Sequence, residues 1–175
     1  MLTVKEPMQF LSTQLVKEPR CGNRPKVGNP TAAARFLRRH LPMDFEREVF
    51  GVICLSPRGQ VNHSEILSVG GVECAMIDPQ AVFRVALLSA SPCVIVFHTH
   101  PTTGSAQPSE KDIEMTKKLI LAGSHIGVKV LDHIIISGKK WTSIATIFRE
   151  ECERKEKEEE ENEHNEMDEY VESGN

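Results

Sequence analysis

Apolar and polar residues in the middle of the chain follow two different periods, which predict alternating strands and helices. Residues 93–97 (CVIVF) are apolar at every position, a pattern typical of a central strand covered on both faces. Turn-forming residues 56–59 (SPRG) separate two apolar runs and predict a β-hairpin. Besides the central strand, strands are predicted over residues 45–55, 61–69, 128–137 and 141–147.

Two helices are predicted from Asn-Pro and Asp-Pro starts. Asn29-Pro30 opens the first, which Pro42 ends, and Asp78-Pro79 opens the second, which runs to about Ala90. With a third helix after the central strand, this alternation indicates a three-layer α/β fold, a mixed sheet with flanking helices.

The third helix is predicted from Ser109 to Gly127. Ser109 followed by Asp112 is the pattern of a capping box, and Gly127 is a typical C-terminal stop. The residues at helical spacing that we expect on its inner face are Ile113, Leu119, Ile120 and Ile126.

The composition suits one domain. A chain of 175 residues with 39% apolar residues is long enough for a single core. No run approaches the roughly 18 apolar residues of a membrane-spanning helix and no leader pattern precedes the body, so we expect a cytoplasmic protein without a membrane partner. The predicted divisions are an N-terminal arm at 1–27, a main domain at 28–149 and an acidic tail at 150–175.

Charge is divided unevenly along the chain. Residues 150–175 hold 13 acidic and 3 basic residues, a net charge of −10, whereas the remaining residues hold 12 acidic and 18 basic residues, a net charge of +6. A mildly basic body permits weak association with DNA through the release of counterions. The sequence contains no basic stripe interleaved with aromatic residues, the pattern that would indicate specific DNA binding.

The five cysteines form no CxxC pair, and three of them lie in apolar runs. This pattern predicts reduced core thiols rather than a disulfide framework or a cysteine-based zinc site. The five are Cys21, Cys54, Cys74, Cys93 and Cys152.

The strongest chemical signal follows the central strand. His98 and His100 leave its end two residues apart, and residues i and i+2 of a strand project from the same face, so both rings can converge on one point. Imidazole nitrogens at about 2.0–2.1 Å from a tetrahedral zinc are the natural use of that geometry. Asp112 is the nearest candidate for a third ligand. Alternatively, Asp112 serves only the helix cap, since a single His-x-His pattern is a weak signal.

Three motifs in this order resemble a known family. HTHP at 98–101, PSEKD at 108–112 and VLDHIII at 130–136 are similar to the RadC-like branch of the JAB/MPN domains, whose zinc-dependent members carry the JAMM signature. The resemblance covers about residues 27–148 and implies the MPN/JAB1 fold, which is cytidine-deaminase-like. This chain has eight residues between the second histidine and the serine, where the usual signature has seven, and Thr99 and Thr102 replace Asn and Ser.

The resemblance implies a role for each residue of the site. His98, His100 and Asp112 would hold zinc, and Ser109 would help to hold a developing oxyanion. Glu48, 50 residues before His98, matches the position of the catalytic base. From the residues alone, Glu46 is an equal candidate, and Glu48 also suits an exposed charge at a strand end.

The predicted function is a zinc-dependent metallohydrolase that cleaves a peptide or isopeptide amide in a peptide or protein substrate by metal-activated water. One alternative is a DNA-repair-associated accessory protein that binds DNA, or partners on DNA, without hydrolysis. Another is an inactive MPN scaffold with a structural metal.

Asp132 and His133 are polar residues inside an apolar strand, where buried polar groups need partners. Adjacent residues of a strand face opposite sides, so both cannot be ligands of one ion. We favour a role in the core or beside the ligands over ligation.

Overall fold

The computed structural model describes residues 24–41, 47–70, 78–100 and 104–157. These residues form a mixed α/β domain with a five-stranded sheet, which confirms the predicted fold class. The elements in chain order are α1 (Pro30–His40), β1 (Val49–Leu55), β2 (Val61–Val69), α2 (Pro79–Leu88), β3 (Cys93–Thr99), α3 (Glu110–Ile126), β4 (Lys129–Ser137), β5 (Lys140–Ser143) and a further helix, α4, described over residues 144–157.

The sheet has the strand order β2-β1-β3-β4-β5. β1 pairs antiparallel with both β2 and β3, and β4 pairs antiparallel with β5. β3 and β4 are parallel and are joined by α3, so the chain forms a βαβ unit in the middle of the sheet. The N-terminus of α3 therefore lies near the carboxyl end of β3, the edge at which α/β sheets commonly bind ligands.

Each face of the sheet carries its own apolar core. On one face, α1 packs with Ala33, Ala34 and Leu37 against Phe97 and other buried residues of the strands. On the opposite face, α2 and α3 cover the sheet, with Val82, Phe83 and Leu119 among the residues at the contact. The two cores leave β3 buried on both sides, as its apolar sequence predicted.

Side chains cap the helices where the sequence placed their starts. Asn29 and Asp78 accept backbone N–H groups at the starts of α1 and α2, and Ser109 does so for α3. At the other end of α3, Gly127 has a φ of 72°, a left-handed conformation that favours glycine.

Two predicted strand limits were wrong. β1 begins at Val49, and residues 45 and 46 lie outside the described residues. Residues 144–147 are helical, because β5 ends at Ser143 and α4 follows directly. The helix continues through residue 150, where the acidic tail was predicted to begin, and the structure describes it as far as residue 157.

The predicted inner face of α3 was partly wrong. Ile120 and Ile126 are exposed by 43% and 45%, whereas Leu119 is fully buried. The buried residues of α3 are instead Asp112, Thr116, Leu119 and Gly123. The helix is rotated so that its polar residues 112 and 116 face the sheet, which turns the isoleucines towards the surface.

At the N-terminal side, residues 24–27 lie against the sheet. Lys26 forms an isolated bridge with Gln60, and Val27 is buried in the core on the α1 face. Residues 1–23, which form most of the predicted arm, lie outside the described residues.

Three cysteines lie in the described ranges, and all three are free thiols. Cys54 is buried and Cys93 is half-buried, whereas Cys152 is exposed on α4, so the prediction of a core thiol was wrong for Cys152. Cys21 and Cys74 lie outside the described residues. Among the helices that the structure describes, none is long and apolar enough to cross a membrane.

Candidate metal centre

Both histidines of the HTHP motif lie at the carboxyl end of the central strand. His98 is the second-last residue of β3, and His100 follows the strand directly. The register pairs His98 with Phe50 of β1, whose side chain lies in the core beneath α2 and α3. Backbone bonds to β4 hold His100: its N–H donates to the Ile136 carbonyl at 2.8 Å, and its carbonyl accepts the Ser137 hydroxyl at 2.7 Å.

Asp112 enters the same space from the first turn of α3. The predicted capping box is confirmed: the Asp112 N–H donates to the Ser109 hydroxyl at 3.2 Å, and the Ser109 N–H donates to Asp112 Oδ2 at 2.7 Å. The Ser109 hydroxyl also donates to Oδ2 at 2.7 Å. These bonds leave Oδ1 directed at His98, so capping and ligation do not compete for the same oxygen.

His98, His100 and Asp112 form a compact group, here called the ligand cluster. Its members are the residues that could together hold a metal ion within the part of the chain that the structure describes. The two Nε2 atoms lie 2.8 Å apart, His98 Nε2 lies 3.3 Å from Asp112 Oδ1, and His100 Nε2 lies 3.8 Å from Oδ2. Ligands at about 2.0–2.1 Å from one tetrahedral zinc lie about 3.3 Å from each other, so these separations fit a single ion.

Hydrogen bonding at the far side of His100 shows which of its nitrogens is available. His100 Nδ1 lies 3.2 Å from the carbonyl oxygen of Ser105. A carbonyl can only accept, so Nδ1 carries the proton and the neutral ring turns the lone pair of Nε2 towards His98 and Asp112. This lone pair and the carboxylate oxygens converge on one point, an arrangement that a cation stabilises.

The surroundings of His98 and Asp112 keep both side chains in the charge state that a metal needs. Burial lowers the pKa of His98 to about 4, so the ring is neutral near pH 7. Burial opposes ionisation of Asp112, but the pKa of its carboxyl still lies below the ordinary value, because His98 and the hydrogen bonds from Ser109 favour the carboxylate. A neutral imidazole and an ionised carboxylate are the ligand forms of these side chains.

Glu48 directly precedes β1, the strand that pairs with β3, and is not a member of the ligand cluster. It is half-buried, and its carbonyl accepts the Gly70 N–H at 2.9 Å. Phe50 of β1 pairs with His98 of β3 in antiparallel register. If this register continued for two more residues, Glu48 would lie opposite His100, on the face of the sheet that carries the ligands. Among the described residues, no hydrogen bond or ion pair involves its carboxylate. Glu46, the alternative base, lies outside the described residues.

Asp132 and His133 are both satisfied by protein groups, and neither belongs to the ligand cluster. The Asp132 carboxylate accepts the Ser143 hydroxyl at 2.8 Å and the Ala145 N–H at 3.1 Å, which fixes the start of α4. His133 lies on the other face, and its Nε2 is 2.8 Å from Nδ1 of His98. The prediction that the two residues serve the core and the surroundings of the ligands agrees with these contacts.

Thr116 also belongs to this site, although nothing in the sequence pattern singled it out. Its hydroxyl oxygen is 2.7 Å from His133 Nδ1 and donates to the Asp112 carbonyl at 2.6 Å. The available signal was its position four residues after Asp112, which places both side chains on one face of α3. A threonine within a helix has no distinctive pattern, so this spacing became informative only once Asp112 was placed.

Part of the loop between His100 and Ser109 is also described. Residues 104–108 are described, whereas residues 101–103, which include Thr102, lie outside the described residues. Ala106 packs with Ile135 and Ile144 in a small apolar cluster beside the site. The ligand cluster is therefore assembled although this loop has one residue more than the usual signature between His100 and Ser109.

Several UPF0758 proteins are similar in sequence to this chain. A UPF0758 protein of Bacillus cereus is 35% identical over 122 residues, which are 70% of this chain and 53% of that relative. A UPF0758 protein of Desulforamulus reducens is 41% identical over 101 residues, covering 58% of this chain and 44% of the relative. One of Methanosarcina barkeri is 36% identical over 99 residues, covering 57% and 43%.

The chain spans about half the length of the curated relatives that it matches. Their names state no reaction. The family model that matches is described as the RadC-like JAB domain and extends over residues 27–151, which include every residue of the ligand cluster together with Glu48, Ser109 and His133. The chain belongs to the RadC-like JAB domain family.

Proposed function

We propose that this protein is a zinc-dependent hydrolase that cleaves a peptide or isopeptide amide in a peptide or protein substrate. The observation that carries the proposal is the convergence of buried His98 and Asp112 with half-buried His100 at the carboxyl end of β3. Two imidazoles and one carboxylate leave a fourth tetrahedral position open, which is the composition of a catalytic rather than a structural zinc site.

When bound, the ion would supply a Lewis acid and lower the pKa of a coordinated water towards about 7. Glu48 would accept a proton from the attacking water and return it to the leaving amine, a positioned transfer worth roughly 10²- to 10⁴-fold in rate. Its half-buried position beside the ligand-bearing strand end supports this role.

Ser109 would donate a hydrogen bond to the substrate oxygen as negative charge develops there. Its hydroxyl donates to Asp112 Oδ2, which also accepts the Ser109 backbone N–H at 2.7 Å. The hydroxyl can therefore turn towards a substrate without leaving that carboxylate oxygen unpaired. A donor aimed at a developing oxyanion is typically worth about 10²- to 10³-fold in turnover.

The test compares Glu48→Gln with Glu46→Gln, its matched control. Both proteins, purified and loaded with zinc, are assayed against a quenched fluorescent peptide library and a library of lysine-linked isopeptides. We expect Glu48→Gln to keep about one zinc per chain, by elemental mass spectrometry, and to lose at least about 10²-fold in turnover. Glu46→Gln should retain wild-type turnover.

Full activity of Glu48→Gln would remove Glu48 from the mechanism. Loss of activity in Glu46→Gln alone would assign the base to the neighbouring acid. A wild-type protein that binds no zinc would contradict the hydrolase as a whole.

The second candidate, a DNA-associated accessory protein, draws support from the net charge of +6 outside residues 150–175. Binding of duplex DNA that weakens with salt and is unchanged by a chelator would favour it. Binding that depends on loaded zinc, or no binding at low salt, would argue against it.

A further inference from the structure

A second buried histidine lies directly behind the ligand cluster. His133 of β4 is 0% exposed, and its Nε2 lies 2.8 Å from Nδ1 of His98. Its other ring nitrogen, Nδ1, lies 2.7 Å from the hydroxyl of Thr116 on α3, which is also buried. The rings of His98 and His133 are 4.9 Å apart between centroids, so β3, β4 and α3 meet here through polar side chains.

The position of each proton in this chain of contacts follows from one fixed group. The Asp112 backbone carbonyl can only accept, and it lies 2.6 Å from the Thr116 oxygen, so the single hydroxyl proton points to that carbonyl. Thr116 Oγ1 can then only accept from His133. His133 Nδ1 must therefore carry a proton.

Complete burial disfavours a charged ring, so His133 holds one proton and its Nε2 has a free lone pair. That lone pair accepts a hydrogen bond from His98 Nδ1, which therefore carries the proton. His98 is then left with an unprotonated Nε2, the atom that lies 3.3 Å from Asp112 Oδ1 within the ligand cluster.

We propose that Thr116 and His133 are positioning residues that fix the proton of His98 on Nδ1 and so present its Nε2 lone pair to the metal. The contacts close a ring, because the Asp112 residue whose carbonyl orients Thr116 also supplies the carboxylate beside His98. Two ligands on different elements, β3 and α3, are thereby ordered by residues that touch neither the ion nor the substrate. The inference rests on the proposed metal site but not on the proposed hydrolysis.

The test exchanges Thr116 for residues of matched size. Thr116→Val keeps the shape and removes the hydroxyl, whereas Thr116→Ser keeps the hydroxyl. Zinc affinity is measured by competition with a chromogenic chelator, after circular dichroism has confirmed folding. We expect Thr116→Val to bind zinc about 10- to 100-fold more weakly, the usual cost of removing a partner of a metal-ligating histidine, and Thr116→Ser to stay close to wild type.

A second readout addresses the protons directly. Long-range ¹H–¹⁵N correlation spectra of the metal-free wild-type protein distinguish the two neutral tautomers of each histidine. We expect both His98 and His133 to carry the proton on Nδ1. In Thr116→Val, we expect the His98 signals to show mixed tautomers.

Two results would overturn the proposal: a His98 proton on Nε2 in the metal-free wild type, or wild-type zinc affinity in Thr116→Val. The tautomers are measured without metal, so they test whether Thr116 and His133 fix the proton of His98 even if the protein binds no zinc. A protein that binds zinc normally but cleaves no substrate would contradict the proposed hydrolysis and would leave the roles of Thr116 and His133 unaffected.

Discussion

Asp132 and His133 are neighbours in β4, yet they belong to buried polar groups of different kinds on opposite faces of the sheet. The Asp132 carboxylate accepts hydrogen bonds from the His133 N–H, the Ser143 hydroxyl and the Ala145 N–H, so its oxygens face donors. On the other face, the hydrogen bonds from Thr116 through His133 end at the ligand cluster. With the protons placed as inferred above, lone pairs of His98, His100 and Asp112 face one another there.

This difference teaches how to separate structural from functional polar groups in a buried site. A group whose donors and acceptors balance stabilises the fold by itself. A group that brings only acceptors together is unfavourable unless a cation joins it. Burial alone does not separate the two, because Asp132 and Asp112 are exposed by 6% and 3%.

The largest expected effect is on metal binding when the ligand cluster loses its carboxylate charge. Asp112→Asn retains a side-chain oxygen that can serve the cap but removes the anionic ligand. We expect zinc affinity to fall by more than about 100-fold, a larger loss than that expected for Thr116→Val, which removes a partner of a ligand and not the ligand itself. Elemental analysis after dialysis would show close to no zinc per chain.

Asp132→Asn is the matched control for that variant. A variant Asp112→Asn that still held one zinc per chain would leave Asp112 as a capping residue only. In that case the comparison between the two groups would fail.

An intermediate effect is expected on stability when the hydrogen bonds of the Asp132 carboxylate are disturbed. In Asp132→Asn, a new amide would direct its own donors at the Ser143 hydroxyl or the Ala145 N–H. Unpaired buried donors cost about 1–3 kcal/mol, so we expect the free energy of unfolding to fall by that amount. Zinc stoichiometry of the folded protein should stay unchanged.

Urea denaturation of the loaded protein measures the change, and Ser143→Ala provides a second variant in the same group. Loss of zinc in parallel with loss of stability would show that the two faces are coupled. That result would remove the distinction between them.

The third effect concerns the pH dependence of stability in the metal-free protein. Burial lowers the pKa of His98 to about 4 and of His133 to about 3, from about 6.5 in the unfolded chain. Between those values the unfolded state binds more protons, so the metal-free protein should lose stability as the pH falls from about 6.5 towards 4. Each histidine contributes up to about 1.4 kcal/mol per pH unit, so the slope should approach about 2.7 kcal/mol per pH unit between the folded and unfolded pKa values.

Urea titrations at several pH values measure that slope in the metal-free protein. His133→Asn should flatten it, whereas His63→Asn, which changes an exposed histidine of β2, should leave it intact. An equal slope in all three proteins would place the pH dependence elsewhere in the chain.

Local signals in the sequence were sufficient for the helix starts and for the ligand cluster. Asn29, Asp78 and Ser109 act through contacts within their own first helical turn, so a few residues determine each outcome. His98 and His100 were found because the end of a buried strand fixes where both side chains project.

Features that depend on distant contacts could not be read in the same way. The rotation of α3 that exposes Ile120 is set by packing of its polar face against the sheet, and helical spacing alone favours the isoleucines. Residue 144 begins a helix because Asp132, on another strand, accepts the Ala145 N–H. The role of Thr116 likewise depends on His133, which lies 17 residues away in the chain.

Both ends of the loop between His100 and Ser109 are anchored independently of the loop itself. The His100 backbone is held by Ile136 and Ser137 of β4, and Ser109 is held by the capping box of α3. The ring of His100 is an exception, because its Nδ1 lies 3.2 Å from the carbonyl oxygen of Ser105, which belongs to the loop. Changes of loop length among relatives are therefore expected to leave the backbone at both ends in place, and to be constrained at residue 105, whose carbonyl orients one candidate ligand.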